Sequence, residues 1–235
     1  MDLTRSELVD LPIALAELHR EVPVGAAVEL VLPAGDPVHT ARTRAVVEAA
    51  GFRIDRFEAT ERCVEAAVTS LRALPDHVGA GMRLLCCGLN PSLHAADAGV
   101  GYVTGNNRFW RAVALAGLST SDRDPFHLLH QDRIGMTDLV KRATARADEL
   151  TTAEYRVGVE RLDALCDWLR PAAVAVVGLA GWRAAVDRQA AVGWQARTLG
   201  PSPVYVLPST SGLNAGTSLE DLVAHLREAA GGRAT

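Results

Sequence analysis

The chain has 235 residues, 49% of them hydrophobic and 22% charged, with a formal net charge of −4. This length supports one large domain or two small ones, and the composition is that of an ordinary globular chain. The acidic balance excludes a global basic field, so any contact with nucleic acid has to come from a local patch. No run reaches the roughly 18 apolar residues of a membrane span. The N-terminus also lacks the charged-then-apolar pattern of a signal peptide, so a cytoplasmic protein without a membrane partner is expected.

Four cysteines, Cys63, Cys86, Cys87 and Cys166, form no C-x-x-C pair and match neither zinc nor iron–sulfur spacing. They read as reduced, structural residues, and no metal or cofactor is expected. Lys141 is the sole lysine.

In chain order, "SELVDLPIALAELHREV" predicts a helix and "AAVELVLPAG" a strand. "PVHTARTRAVVEAAG" predicts a helix stopped by Gly51, and the alternation of "FRIDRFEAT" a half-buried strand. "ERCVEAAVTSLRAL" fits either a strand or a helix. The turn-rich "PDHVGAGM" then marks a boundary, dividing an N-terminal α/β segment, 1–78, from a larger domain, 79–235. In the second part "MRLLCCGL", "DRIGMTDLV", "PAAVAVVGLAG" and "PVYVLPSTSG" predict strands. "NRFWRAVALAGL", "TTAEYRVGVERLDALCDWLR" and "TSLEDLVAHLREA" predict helices, with caps at Thr151 or Thr152 and at Thr217 or Ser218. The alternation predicts an α/β fold in which a parallel β-sheet is flanked by helices on both faces.

Ligands of open α/β sheets bind beyond the carboxyl ends of the strands. Three polar clusters fall at such ends: Asn90-Pro91-Ser92, Thr137-Asp138 and Ser209-Thr210-Ser211-Gly212. Asn90 either caps the following helix or holds a reactant in a turn fixed by Pro91. Asp138 either works in a pocket or pairs with Lys141 or Arg142 at the surface.

"GLNPSLHAADAGVGYVTGNNRFWRAVALAGL" (88–118), "GMTDLVKRATARADEL" (135–150) and "LPSTSGLNAGTSLEDL" (207–222) resemble, in order and spacing, the mismatch-specific uracil/thymine-DNA glycosylases of the uracil-DNA glycosylase superfamily. The resemblance covers roughly residues 82–228. It implies a uracil-DNA glycosylase-like fold. It also implies a base-excision repair enzyme that cuts the N-glycosidic bond of uracil, or of thymine or another lesion, in G:U-type mismatched double-stranded DNA, leaving an abasic site. A monofunctional enzyme is expected, because the one lysine, a potential Schiff-base amine, reads as solvent-facing; a monomer is expected as well. A non-catalytic lesion-binding module of the same fold is the alternative. A small-molecule nucleotide enzyme is a more distant one.

By the resemblance, Asn90 holds a water by its amide oxygen and aims it at the sugar. Asp138 is a second catalytic candidate, activating water or steadying the oxocarbenium ion. Leu89, Pro91, Ser92, Tyr102 and Asn107 surround the base, with Tyr102 stacking on it, Asn107 bonded to the Asn90 loop, and Ser92 small enough to admit thymine. Leu213 matches a wedge that fills the gap left by a flipped nucleotide; the alternative is that it tucks into the core. Ser209, Thr210, Ser211, Gly212 and Asn214 form the rest of that DNA-binding loop, with Asn214 and Ala215 near the widowed guanine. Ser209 stands where several branches carry histidine, so backbone amides have to carry the charge of the departing base, at roughly 3 kcal/mol per donor. Phe109 and Trp110 read as core, and His94 as a solvated helix residue. Residues 1–78 faintly resemble the C-terminal half of a class I methyltransferase, but the glycine-rich cofactor loop is missing.

Overall fold

In a computed structural model, residues 1–232 are described. The first layer is built around a three-stranded antiparallel sheet, β1 (Ala27–Pro33), β2 (Phe52–Ala59) and β3 (Cys63–Ser70), in the order β1-β3-β2. The ambiguous stretch after residue 60 is the central strand β3: Val64, Ala66 and Val68 alternate inward and are fully buried. Helix α1 (Leu11–Glu21) contributes Leu11 and Leu15 to the same core. Helix α2 (Pro37–Ala49) starts on Asp36, whose carboxylate accepts from His39 N at 2.7 Å, and Pro37 sits in its first turn, where no N–H is needed.

The second sheet has five strands in the order β5-β4-β6-β8-β7. Strands β4 (Leu84–Gly88), β5 (Ile134–Asp138), β6 (Val174–Val177) and β8 (Ser202–Leu207) run parallel. The expected parallel sheet flanked by helices is present, with one antiparallel edge strand, β7 (Gly193–Leu199), paired with β8. Strand β4 shows why both faces are covered. Leu84 and Cys86 join one apolar cluster, with Phe109 and Trp110 of α4 (Phe109–Leu115) and Leu222 and Leu226 of α8 (Leu219–Gly231). Leu85 and Cys87 join another, with Leu162 and Cys166 of α6 (Thr152–Leu169) and Trp182 of α7 (Leu179–Ala185). Period-2 alternation thus serves two helix layers. The remaining helices are α3 (Leu93–Ala98) and a short α5 (Pro125–His130), the latter not foreseen. Of the alternative caps, Thr151 and Ser218 are the ones used, and each forms a capping box, with Glu154 and Asp221.

The chain leaves β4 toward β5 on one side and returns to β6 on the other. The order therefore reverses at β4, which opens a crevice at the carboxyl ends of β4 and β6. The two sheets are tied by residues 73–77: Ala73 bridges Arg142, and His77 exchanges backbone bonds of 2.9 Å with Met136 of β5. All four cysteines are free. Among the described residues, no helix is long and apolar enough to cross a membrane.

Candidate active site

A cavity of about 300 Å³ opens at this crevice. That is the lower end of the roughly 300–1,000 Å³ usual for small-ligand pockets. The three predicted strand-end clusters meet there, with Asn90, Pro91, Ser92, Thr137, Asp138, Ser209, Thr210 and Ser211 all in its wall. Leu89, Tyr102 and Asn107 line it too.

Asn90 sits two residues beyond β4, between strand and helix. It does not cap α3: Ser92 does so, its hydroxyl accepting from Ala95 N at 3.1 Å. The Asn90 amide is clamped instead by the segment after β5. Its Nδ2 lies 2.8 Å from Thr144 Oγ1 and 3.1 Å from the carbonyl oxygens of Pro91 and Arg142. Carbonyls only accept, so these contacts fix which end of the amide is nitrogen. Both amide hydrogens are thereby used, and Oδ1 accepts from no described residue. The clamp is itself rigid: Thr144 N donates to Pro91 O at 3.1 Å, Val140 N to Leu89 O at 2.9 Å, and Thr144 is buried.

Asp138 ends β5 and pairs in register with Gly88 of β4. A Cβ on Gly88 would lie 2.3 Å from Asp138 Oδ1 and 2.9 Å from Tyr102 Oη, so the missing side chain is what lets both groups sit over the strand. The Asp138 carboxylate is 7% exposed and accepts from no described residue. Burial pushes its pKa up to about 6, with Asp76 acting in the same direction and Lys141 and Arg161 against it. The surface pairing considered from sequence does not form. Arg142 binds Glu154 at 2.8 Å, and Lys141 binds Asp76 at 2.5 Å. Lys141, expected to face solvent, has a side chain only 16% exposed. Its stem packs inward, and its ammonium finds a carboxylate 65 residues away in sequence.

Tyr102 has φ 57, in the left-handed region, where a non-glycine residue costs on the order of 1–3 kcal/mol. The conformation lays its ring on Phe109, with centroids 4.1 Å apart and an 18° interplanar angle. Its hydroxyl is buried with no partner among the described residues. Burial and the neighbouring Asp138 hold that phenol well above its usual pKa. Asn107 Oδ1 accepts from Phe109 N at 3.0 Å, closing its own turn, and no bond joins it to the Asn90 loop. Phe109 and Trp110 are core, as expected. His94 is exposed and outside the cavity wall.

The loop after β8 has an unusual surface. Leu213 is 89% exposed, which removes the possibility that it fills the core. Arg108 holds the loop by its carbonyl oxygens: Nη2 donates to Ser211 O at 3.2 Å and Asn214 O at 2.9 Å, and Nη1 donates to Thr217 O. Asn214 Nδ2 donates to Ser209 O at 2.9 Å, and the Ser209 and Ser211 hydroxyls accept from Ser211 N and Leu213 N at 3.3 Å each. Gly212 lies so close to Asn106 that a Cβ would stand 2.7 Å from its carbonyl oxygen.

A family model of the Uracil DNA glycosylase superfamily matches residues 75–230. The chain belongs to this superfamily. The match spans every strand of the five-stranded sheet, the crevice and the exposed loop, and begins at Pro75, where the chain reaches the cavity. Membership makes a DNA glycosylase, a hydrolase of DNA repair with DNA as its substrate, the activity to which the cavity answers.

Several residues of this glycosylase site were not legible in the sequence. Thr144 and Arg108 hold Asn90 and the Leu213 loop; both lie in the stretches that carry the resemblance, but neither stands at a strand end, and nothing in the sequence assigns them these roles. Leu74, Pro75 and His77, in the segment assigned to the N-terminal part, line the cavity. His77 is buried with Nε2 unpartnered, and burial pushes its pKa down to about 4, so it is neutral. Among the described residues, no group of three His, Cys, Asp or Glu side chains could hold a metal ion.

Proposed function

We propose that the chain is a mismatch-specific uracil/thymine-type DNA glycosylase, acting as a monofunctional monomer that hydrolyses the N-glycosidic bond of uracil opposite guanine and leaves an abasic site. One observation carries the reading. The Asn90 amide spends its hydrogens on the protein and leaves its oxygen, an acceptor, unbonded, and Asn90 lines the same cavity as an unpaired Asp138 carboxylate.

In the proposed reaction the C1′–N bond breaks first, its electron pair leaving with the base, and the sugar takes on oxocarbenium character. Water, one hydrogen donated to Asn90 Oδ1, adds its oxygen to C1′. Asp138 in its carboxylate form stabilises the cationic sugar and takes the proton that water loses. Positioning of this kind supplies several kcal/mol without a metal. The base would lie against the free face of Tyr102, whose other face rests on Phe109; stacking is worth about 1–3 kcal/mol per base. Beside Pro91 the small Ser92 leaves room for a 5-methyl group, so thymine is admitted with uracil. Leu213 enters the duplex where the nucleotide has left, and Ser209, Thr210, Ser211, Gly212 and Asn214 meet the backbone and the widowed guanine.

The test is a duplex oligonucleotide with one U·G pair. Alkali-labile strand scission at that position is the expected result, absent from the matched U-free duplex. Retarded mobility without scission would replace the enzyme with a lesion-binding module.

A further inference from the structure

The connection between the two sheets carries a buried ionic cluster. Asp76, 2% exposed, stands between them. Its Oδ1 accepts from Lys141 Nζ at 2.5 Å and Thr137 Oγ1 at 2.7 Å, and its Oδ2 from Arg161 Nη1 at 2.8 Å. Lys141 is held further by Leu74 O at 2.6 Å. Arg161 Nη2 donates to Thr137 Oγ1 at 2.9 Å and to the backbone oxygen of Asp138. Asp76 and Arg161 also border a largely apolar cavity of about 110 Å³ that includes Pro12, Val46, Leu165 and Trp168. The Asp76 side chain is 3% exposed and those of Lys141 and Arg161 are mostly buried, so water screens their attraction less than at the surface.

The arrangement has a consequence for Asp138. Two cations lie within electrostatic reach of it, yet neither side chain binds its carboxylate, because both are turned onto Asp76. We propose that Asp76 is a positioning residue for base release: by binding Lys141 and Arg161 it keeps both cations off the Asp138 carboxylate, which stays free to receive a proton in the cavity. This rests on the role given to Asp138 above. It makes the stretch joining the N-terminal sheet to the catalytic fold a working part of the site.

The charged and titratable groups around Asp138 are few. Lys141 follows it on the same loop, Arg161 faces it from α6, and Asp76 and His77 come from the connecting stretch. Tyr102 comes from the loop before α4, and Cys87 from β4. Among the charged groups, Asp76 raises the Asp138 pKa, and Lys141 and Arg161 lower it. Removing the Asp76 charge therefore makes Asp138 a weaker proton acceptor and releases Lys141 to pair with it.

The experiment compares single-turnover base release from the U·G duplex across pH for wild type, Asp76→Asn, Lys141→Met, Asp76→Asn/Lys141→Met and Asp138→Asn, all as the full chain. Asp76→Asn is expected to lose tenfold or more in release rate, with duplex affinity within about twofold and the acidic limb moved to lower pH. Lys141→Met moves the limb the opposite way, and the double variant recovers most of the rate. A purely structural role moves neither limb and gives no recovery. Should Asp76→Asn fail to fold, the direction of the Lys141→Met shift still decides. If Asp138→Asn lowers the rate while Asp76→Asn does not, or if the double variant is no faster than Asp76→Asn, the proposal is overturned. If Asp138→Asn leaves the rate unchanged, it is the catalytic role of Asp138 that fails.

Discussion

Gly88 and Asp138 are register partners at the ends of adjacent parallel strands, and a methyl group on Gly88 would stand 2.3 Å from the Asp138 carboxylate oxygen. Strand pairing thus sets the height of the carboxylate, and the absence of a side chain sets its direction. Gly88→Ala is expected to fold, since the obstruction meets only side-chain ends, Asp138 and Tyr102. Base release should fall by about tenfold or more, equivalent to roughly 1.4 kcal/mol, as both groups are displaced. Single-turnover rates at saturating enzyme, with circular dichroism as a folding control, check this.

Asp138 also links activity to pH. Its pKa stands at about 6 in the folded protein, against an ordinary 3.8. The carboxylate form works, so release should rise with pH up to about 6 and then level, and Asp138→Asn should flatten the profile and lower it. The same shift has a stability consequence of definite sign. The folded state holds the Asp138 proton more tightly than the unfolded chain, so this group's contribution falls as pH rises from about 4 to about 6, and above that range the ionised carboxylate is a cost. Asp138→Asn should therefore raise the melting temperature at pH 7, by an amount corresponding to no more than about 3 kcal/mol. A variant that is less active and no more stable would contradict the picture of a carboxyl held in an unfavourable place for use.

The exposed loop yields a comparison of substrates. Leu213→Ala should slow release from duplex more than from single-stranded DNA, because only the duplex has a gap to fill. Equal losses on both would contradict the wedge.

Arg108→Met should mimic part of that defect without touching Leu213, since it frees the carbonyls of Ser211, Asn214 and Thr217. Leaving such acceptors without their charged donor costs on the order of 1–3 kcal/mol. The variant should melt lower and show the same duplex-selective loss, measured on the same pair of substrates.

Much of this was written in periodicity and in strand ends. Strand β4 is a buried apolar run closed by a polar turn, and the long α6 announces itself by a capping box and an apolar stripe. β7 was not legible, because an edge strand with three exposed residues in its middle, "GWQARTL", carries no alternation to read. β3 was ambiguous because its inward positions are Val and Ala, which suit a helix as well. Within the site, Asn90, Asp138 and the Leu213 loop stand where strands end, and topology alone brings them together. Thr144, Arg108 and Asp76 could not be found that way. Each works through a partner more than 50 residues distant, and the solvent-facing expectation for Lys141 failed because Asp76 meets it from the other layer.

The most direct measurement is single-turnover release of uracil from a U·G duplex by Asn90→Ala beside Thr144→Val. Asn90→Ala removes the acceptor oxygen and should lose at least about tenfold, or roughly 1.4 kcal/mol, with duplex affinity unchanged. Thr144→Val keeps the amide but loosens its clamp and should lose less. Release by Asn90→Ala at the wild-type rate would contradict the claim that this amide oxygen holds the attacking water.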